Sequence, residues 1–215
     1  MAKHLLWRLG EQYKGEPLDP SNCDPDPIVE VRRWLTVAVD GGIPNANAMT
    51  LATVDERGRP AARIVLVKEI DEHGLTFFTN YESRKARDLA AHPYAAVILY
   101  WEPLHRQIRI EGAVERVPAS DSDAYFASRP RGSQLGAIAS PQSKVLTSRS
   151  ELEDRVTSLA SQFAEEVQPP RPAYWGGYRI VPDMVELWQG QPSRLHDRVR
   201  YMRTSAGWQR DRLAP

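Results

Sequence analysis

The sequence predicts a mainly β fold: an antiparallel barrel with α-helices packed around it. Three observations carry this. Between Ala48 and Val117, short runs rich in β-branched and aromatic residues are separated by brief Gly- or Pro-containing turns. Runs of the same kind resume after Pro172. The helical stretches fall between strand pairs rather than alternating with single strands, which favours hairpins over parallel crossovers.

Residues 1–26 are rich in Pro and Asp with little periodicity, and read as a mobile arm ahead of a single domain over 27–215. Asp26-Pro27 has the form of an N-cap followed by proline in the first turn. Ile28, Val31, Trp34, Leu35 and Ala38 then recur at helical spacing until Gly41-Gly42. "AMTLATVD", "AARIVLVKEID" and "LTFFTN" read as strands joined by the turns "ERGRP" and "EHG". "SRKARDLAAH" reads as a short helix capped by Ser83, and "YAAVILYWEP" with "HRQIRIEGAVERV" as another strand pair. "SDSDAYFASRP" is helical, and "RGSQLGAIASPQS" is a segment broken by Gly and Ser. In "SRSELEDRVTSLASQFAEE", Ser150 and Glu153 fit a capping box, with Leu152, Val156, Leu159 and Phe163 forming one apolar stripe. "YRIVPDMVELWQG" and the hairpin "RVRYMRT-SAG-WQRDRLA" complete the chain.

The 215 residues are 41% hydrophobic and 26% charged, enough for one large domain with an ordinary core. Lys plus Arg number 28 and Asp plus Glu 28, so no global field attracts nucleic acid or a membrane surface, and anion binding must be local. The single cysteine, Cys23, cannot form an intrachain disulfide and has no neighbours at metal-ligand spacing. The apolar run in "MAKHLLWRLGEQY" is too short for a signal peptide, and no stretch reaches membrane-spanning length. The expectation is a cytoplasmic protein that binds no metal, nucleic acid or membrane.

Chemistry concentrates in a few places. In "RIVLVK" strict alternation puts Arg63 on one strand face and Lys68 on the other. Ser83, Arg84 and Lys85 open a helix, where free N–H groups favour an anion. Tyr125, Arg129 and Ser133 share a face if helix continues across Pro130. "QGQPSRLHDRVRY" packs Arg194, His196, Arg198 and Arg200 together, so an anion must sit among them or they must diverge; as an extended strand, Arg194, His196 and Arg198 share a face. No P-loop, dinucleotide fingerprint, catalytic triad order or metal spacing is present. Cations and amides without a nucleophile suit the binding of anionic, conjugated molecules, with a cofactor supplying the chemistry.

Taken together, "RIVLVK", "FFTNYESRKA", "RQIRIEG", "SRPRGSQLGA", "SPQS", "YWGGYRI", "ELWQGQPSRLHDR" and the terminal "DRLAP" resemble the pyridoxamine/pyridoxine 5′-phosphate oxidase family, in order, from about Ala48 to Pro215. The resemblance implies an FMN-binding split β-barrel homodimer with its site at the dimer interface. It implies oxidation of pyridoxamine 5′-phosphate or pyridoxine 5′-phosphate to pyridoxal 5′-phosphate, with O2 reduced to H2O2. The FMN ligands it implies are Arg63, Ile64, Val65, Leu66, Val67, Lys68, Phe78, Thr79, Arg84, Lys85, Gln107, Gln142, Ser143, Trp188 and Arg198. Lys68, Tyr125, Arg129 and Ser133 correspond to the substrate-phosphate ligands. Arg194, Leu195 and His196 correspond to the groups at the substrate ring, with Arg194 and His196 catalytic. Two positions depart from the family pattern. "LGEQY" lacks the basic residues that often precede the arm tyrosine, here Tyr13, and Asn45 stands where many members carry an acid. The alternatives are an FMN oxidase of the phenazine-biosynthesis type and a non-catalytic FMN- or pyridoxal-phosphate-binding protein.

Overall fold

The computed structural model describes residues 13–163 and 167–215. Of the expected arm, residues 1–12 lie outside the described residues. From Tyr13 onward the backbone is tied to the C-terminal region: Leu18 N–H donates to the Asp197 carboxylate at 3.1 Å, and Tyr201 Oη donates to Asp24 O at 2.8 Å.

Among the described residues there are nine strands and five α-helices. Helix α1 (Pro27–Asp40) begins as the sequence suggests. The Asp26 carboxylate accepts from Ile28 N–H, Pro27 occupies the first turn, and Ile28, Val31, Trp34 and Ala38 are buried. Strands β1 (Ala48–Val54) and β2 (Pro60–Leu66) form a hairpin. In its turn, Asp55 Oδ1 accepts from Arg57 N–H and Arg59 N–H, and Gly58 takes φ +76°, which a side chain would disfavour. Strand β3 (Glu69–Asp71) turns into β4 (Gly74–Asn80), with Asp71 Oδ1 accepting from His73 and Gly74 N–H. Helix α2 (Arg84–Ala91) is capped by Ser83. Strands β5 (Tyr94–Trp101) and β6 (Arg106–Arg116) follow, then α3 (Ala119–Ser128), α4 (Arg131–Ala139) and α5 (Arg149–Gln162). Strand β7 (Trp175–Gln189) and the hairpin β8 (Asp197–Thr204) and β9 (Gly207–Leu213) complete the fold.

The strands hydrogen-bond in the order β2-β1-β5-β6-β7-β4-β3, with β8 added to β7 and β9 to β8. Pairing is antiparallel between β3 and β4, β4 and β7, β7 and β8, and β8 and β9. This is the mainly antiparallel β architecture with surrounding helices that the strand pattern predicts. The chain resolves into two compact units. The first comprises residues up to Thr50 with Val97–Glu111 and Pro182–Pro215. Its buried residues include Trp34, Met49, Leu99, Trp101, Ile108, Ile110, Leu187 and Tyr201. The second comprises Leu51–Ala96 and Gly112–Val181, and buries Leu51, Leu75, Phe77, Leu89, Phe126, Leu135 and Ile180. Among the described residues no helix is long and apolar enough to cross a membrane.

Three local expectations are corrected. "AARIVLVKEID" is not one strand: β2 ends at Leu66, and Lys68 N–H turns to Thr76 O at 2.8 Å. Alternation holds only while a strand is continuous, so Arg63 and Lys68 are not constrained to opposite faces. Helix does not continue across Pro130. Arg129 is extended at φ −75°, ψ 147°, as the residue before a proline prefers, and α4 starts afresh in the segment read as broken. The cap of α5 is Ser148, not Ser150: Ser148 Oγ accepts from Glu151 N–H, and Glu151 Oε2 accepts from Thr147. Leu152, Val156 and Leu159 do form a face of α5, but it is only half-buried.

Burial on α1 yields a stability prediction. Trp34 is 2% exposed and carries the Arg106 guanidinium over its ring at 4.7 Å, whereas Val39 on the same helix is 57% exposed. Trp34→Ala is expected to cost about 3–5 kcal/mol of unfolding free energy. Val39→Ala should stay within about 0.5 kcal/mol. Urea denaturation of both variants checks the contrast, and equal losses would contradict the burial assignment.

Candidate active site

A cavity of about 810 Å³ opens within the second unit. Its walls come from β2 (Arg63, Ile64, Val65 and Leu66), from Lys68, from the end of β4 (Phe78, Thr79 and Asn80) and from Lys85 on α2. Tyr125, Arg129, Ser133, Gln142 and Trp175 complete the parts of interest. The cavity carries three kinds of surface: an aliphatic strand, an aromatic stack and cations.

Two of the cations are Arg63 and Lys85. Lys85 Nζ donates to Gln142 Oε1 at 2.7 Å, Thr79 Oγ1 at 3.0 Å and Ser83 Oγ at 3.4 Å. All three acceptors are neutral. Burial, and next the nearby Arg63 guanidinium, push the Lys85 ammonium down to about 8, with Asp88 opposing the shift. Burial likewise lowers Arg63, against the attraction of Asp88. The other two cations, Lys68 and Arg129, lie against the aromatic stack. Lys68 Nζ lies 5.8 Å from the Tyr125 ring centre. Tyr125 stacks on Phe78 at 4.1 Å, and Phe78 on Trp175 at 5.6 Å. The Arg129 guanidinium lies 4.8 Å from the Trp175 ring centre, its Nη1 is buried without a hydrogen-bond partner, and burial lowers its pKa. An unbonded buried guanidinium nitrogen at a cavity wall is a donor suited to an anionic ligand.

The break at Pro130 accounts for the convergence of Tyr125, Arg129 and Ser133. They come from the end of α3, the extended linker and the first turn of α4, not from one helical face. Buried Gln134 secures the break, its Nε2 donating to Phe126 O at 2.9 Å and Ala127 O at 3.2 Å. Other predicted residues fall outside the cavity lining. Val67 is core. Arg84 is exposed, and its backbone N–H donates to Ser143 Oγ at 3.1 Å, so Ser143 occupies one of the free donors at the start of α2. Sequence reading missed Asp88 and Thr53, both buried behind Arg63. Asp88 lies four residues after Arg84, the spacing of an ordinary solvated helix pair, and so gave no signal.

The remaining predicted residues lie in the first unit. Gln107 is half-buried on β6. Trp188 on β7 lies 4.6 Å from the His196 ring, and Tyr13 meets Trp188, His196 and His105 edge-on at 5.5, 5.2 and 5.2 Å. Gly190 permits this approach, since a Cβ there would sit 2.7 Å from Tyr13 Cδ1. The stretch before β8 is not extended. Ser193 and Arg194 take φ +57° and +63°, so Arg194, His196 and Arg198 do not share a strand face. Two consecutive left-handed non-glycine residues store strain of the sort found at functional sites. Arg194 turns to the Tyr13 ring at 5.9 Å and Leu195 is exposed. His196 Nδ1 accepts from Gln191 N–H at 3.0 Å, so the neutral ring carries its proton on Nε2. Burial and the Arg194 charge both lower its pKa. Arg198 is held by buried Glu186 through two hydrogen bonds of 2.9 and 3.0 Å, while Asp197 pairs with Arg212. Among the described residues no cluster of His, Cys, Asp or Glu is arranged to hold a metal ion.

Comparison with known proteins gives a consistent result. Residues 35–163 match the family model described as pyridoxamine 5′-phosphate oxidase, and residues 175–215 match the pyridoxine 5′-phosphate oxidase C-terminal dimerisation region. The chain is 53% identical over 212 residues to a pyridoxine/pyridoxamine 5′-phosphate oxidase of Paraburkholderia phytofirmans, covering 98% of this chain and 99% of that one. It is 54% identical over 207 residues to the enzyme of the same name from Thermosynechococcus vestitus, covering 96% and 97%. Among solved structures it is similar to PhzG from Burkholderia lata, in complex with tetrahydrophenazine-1-carboxylic acid, with a TM-score of 0.89 at 30% identity over 95% of this chain and 100% of that one. An FMN-binding protein of Nostoc punctiforme shares the fold, with a TM-score of 0.70 at 18% identity over 88% and 98% of the chains. Near-full-length identity above one half, together with two family regions matched in order, places the chain in the pyridoxine/pyridoxamine 5′-phosphate oxidase family.

Proposed function

We propose that this chain is an FMN-dependent oxidase that converts pyridoxamine 5′-phosphate and pyridoxine 5′-phosphate to pyridoxal 5′-phosphate, reducing O2 to H2O2. The observation that carries the reading is one cavity lined by Arg63 and Lys85, and also by Lys68 and Arg129 set against an aromatic stack. Two phosphate-bearing, planar molecules are a ligand pair that such a donor set fits. In this reading Arg63, Lys85, Thr79 and Gln142 hold FMN, and Lys68, Tyr125, Arg129 and Ser133 hold the substrate phosphate. FMN, when bound, supplies the electron acceptor that O2 restores.

The protein's own share of the work is binding and orientation. Phosphate binding far from the reacting carbon fixes the substrate in place, so that its energy is spent on alignment. Arg194 and His196 act at the substrate ring, where the neutral imidazole donates a hydrogen bond from Nε2. Arg198, held by Glu186, presents its charge to the flavin. The protein works as a homodimer whose site draws on residues of two copies; the family's dimerisation region at 175–215 supports this. The likeness to PhzG raises a second substrate class, since that protein's bound ligand is a carboxylic acid without phosphate. The unbonded Nη1 of Arg129 and its grouping with Lys68 and Tyr125 favour the phosphorylated substrate.

The deciding measurement is H2O2 release by the FMN-loaded protein given pyridoxine or pyridoxamine 5′-phosphate, with the unphosphorylated forms as controls. Release with the phosphorylated pair alone is expected, and no release with either would remove the assignment. Arg129→Ala should raise KM by about 10- to 100-fold, on the scale of one charge-assisted hydrogen bond, and leave FMN content unchanged. Loss of FMN from that variant would place Arg129 in the other group. Lys85 carries a pH prediction. Its ammonium is lowered to about 8, so FMN affinity should be level between about pH 7, where the FMN phosphate is already a dianion, and that value, and weaken above it as the free site loses its proton. Titrations of FMN against pH check this, and Lys85→Gln should bind more weakly without that dependence.

A further inference from the structure

The Arg63–Lys85 wall has a carboxylate behind it. Asp88 on α2 is 4% exposed and Thr53 on β1 is 1% exposed. Thr53 Oγ1 donates to Asp88 Oδ2 at 2.7 Å and accepts from Arg63 Nη1 at 2.7 Å. Arg63 Nη1 also donates to Leu51 O at 3.2 Å, and Nη2 reaches Asp88 Oδ2 at 3.5 Å. A carboxylate beside an anion site repels the ligand, and burying it is costly. What it gives in return is direction. A hydroxyl that donates its only proton to Asp88 can only accept from Arg63, so the polarity of the chain of bonds is set. The guanidinium is pinned on its inner side, and the remaining N–H groups of this cavity-lining residue are left for a ligand.

We propose that Asp88, acting through Thr53, is a positioning residue for anion binding in this chain. It orients Arg63 and balances the positive charge that Arg63 and Lys85 place at one wall of the cavity. The inference rests on the FMN reading above. The groups facing Lys85 are Arg63 on β2, Asp88 on its own helix, and the neutral Thr79, Ser83 and Gln142. Asp88 is the acid among them that favours the protonated amine. The two parts of the role therefore separate: Thr53 transmits position, and Asp88 supplies position and charge.

The test titrates FMN into wild type, D88N and T53V by quenching of flavin fluorescence across the pH range of the Lys85 transition, with a thermal melt to confirm folding. D88N keeps an acceptor for Thr53 but loses the charge, so its FMN affinity should begin to fall at a lower pH than in wild type. T53V keeps the charge and cuts the relay, leaving only the long 3.5 Å contact between Arg63 and Asp88 to hold the guanidinium, so it should bind FMN about tenfold more weakly with the wild-type pH transition. If D88N does not fold, T53V alone carries the test. A wild-type protein that takes up no FMN overturns the FMN reading and this inference with it. FMN binding by wild type, beside a D88N transition at the wild-type pH or a T53V affinity equal to wild type, overturns this inference alone.

Discussion

Partly buried positive charge that the protein neutralises only in part is the constraint around which the cavity is built. Lys85 has three neutral acceptors, Arg129 has an unbonded buried nitrogen, and Arg63 has a single buried carboxylate, reached through a hydroxyl and by a long direct contact of 3.5 Å. Water would solvate these groups better than this arrangement does. Such charge persists in a folded protein where packing elsewhere holds it and a ligand completes it. The local backbone features serve that end. β2 stops at Leu66 so that Lys68 reaches the cavity, Pro130 breaks α3 from α4 so that Arg129 is extended, and Ser83 starts α2 so that Lys85 points back to Thr79 and Gln142.

The first unit handles its cations differently. Buried Glu186 takes Arg198 through two bonds and Arg109 through a third of 3.2 Å. Asp197 takes Arg212, and Asp211 takes Arg200. Arg194 alone of the "RLHDR" cations is turned by a left-handed backbone toward an aromatic ring. The crowding of that stretch is therefore resolved by divergence. Its charges point to different partners, and burial and the Arg194 charge both disfavour a further positive charge on His196.

The sequence by itself determined the elements whose signals are local. The Asp26-Pro27 start of α1, the Ser83 cap, the Asp-anchored hairpin turns and the β8–β9 hairpin each depend on a few neighbouring residues, and the motifs that mark the family lie in order along the chain. A local rule misleads where the element it belongs to ends. Alternation across Val67-Lys68 assumed an unbroken strand, helical spacing across Pro130 assumed an unbroken helix, and extended geometry at Arg194 assumed no left-handed turn. Tertiary structure alone decided that Tyr125, Arg129 and Ser133 still converge, that Glu186 rather than Asp197 holds Arg198, and that Asp88 and Thr53 stand behind Arg63. The physical reason is that periodicity and capping act over a single turn or strand. The partner of a buried charge is set by which distant segments pack against it, and that information is not present at any one place in the chain.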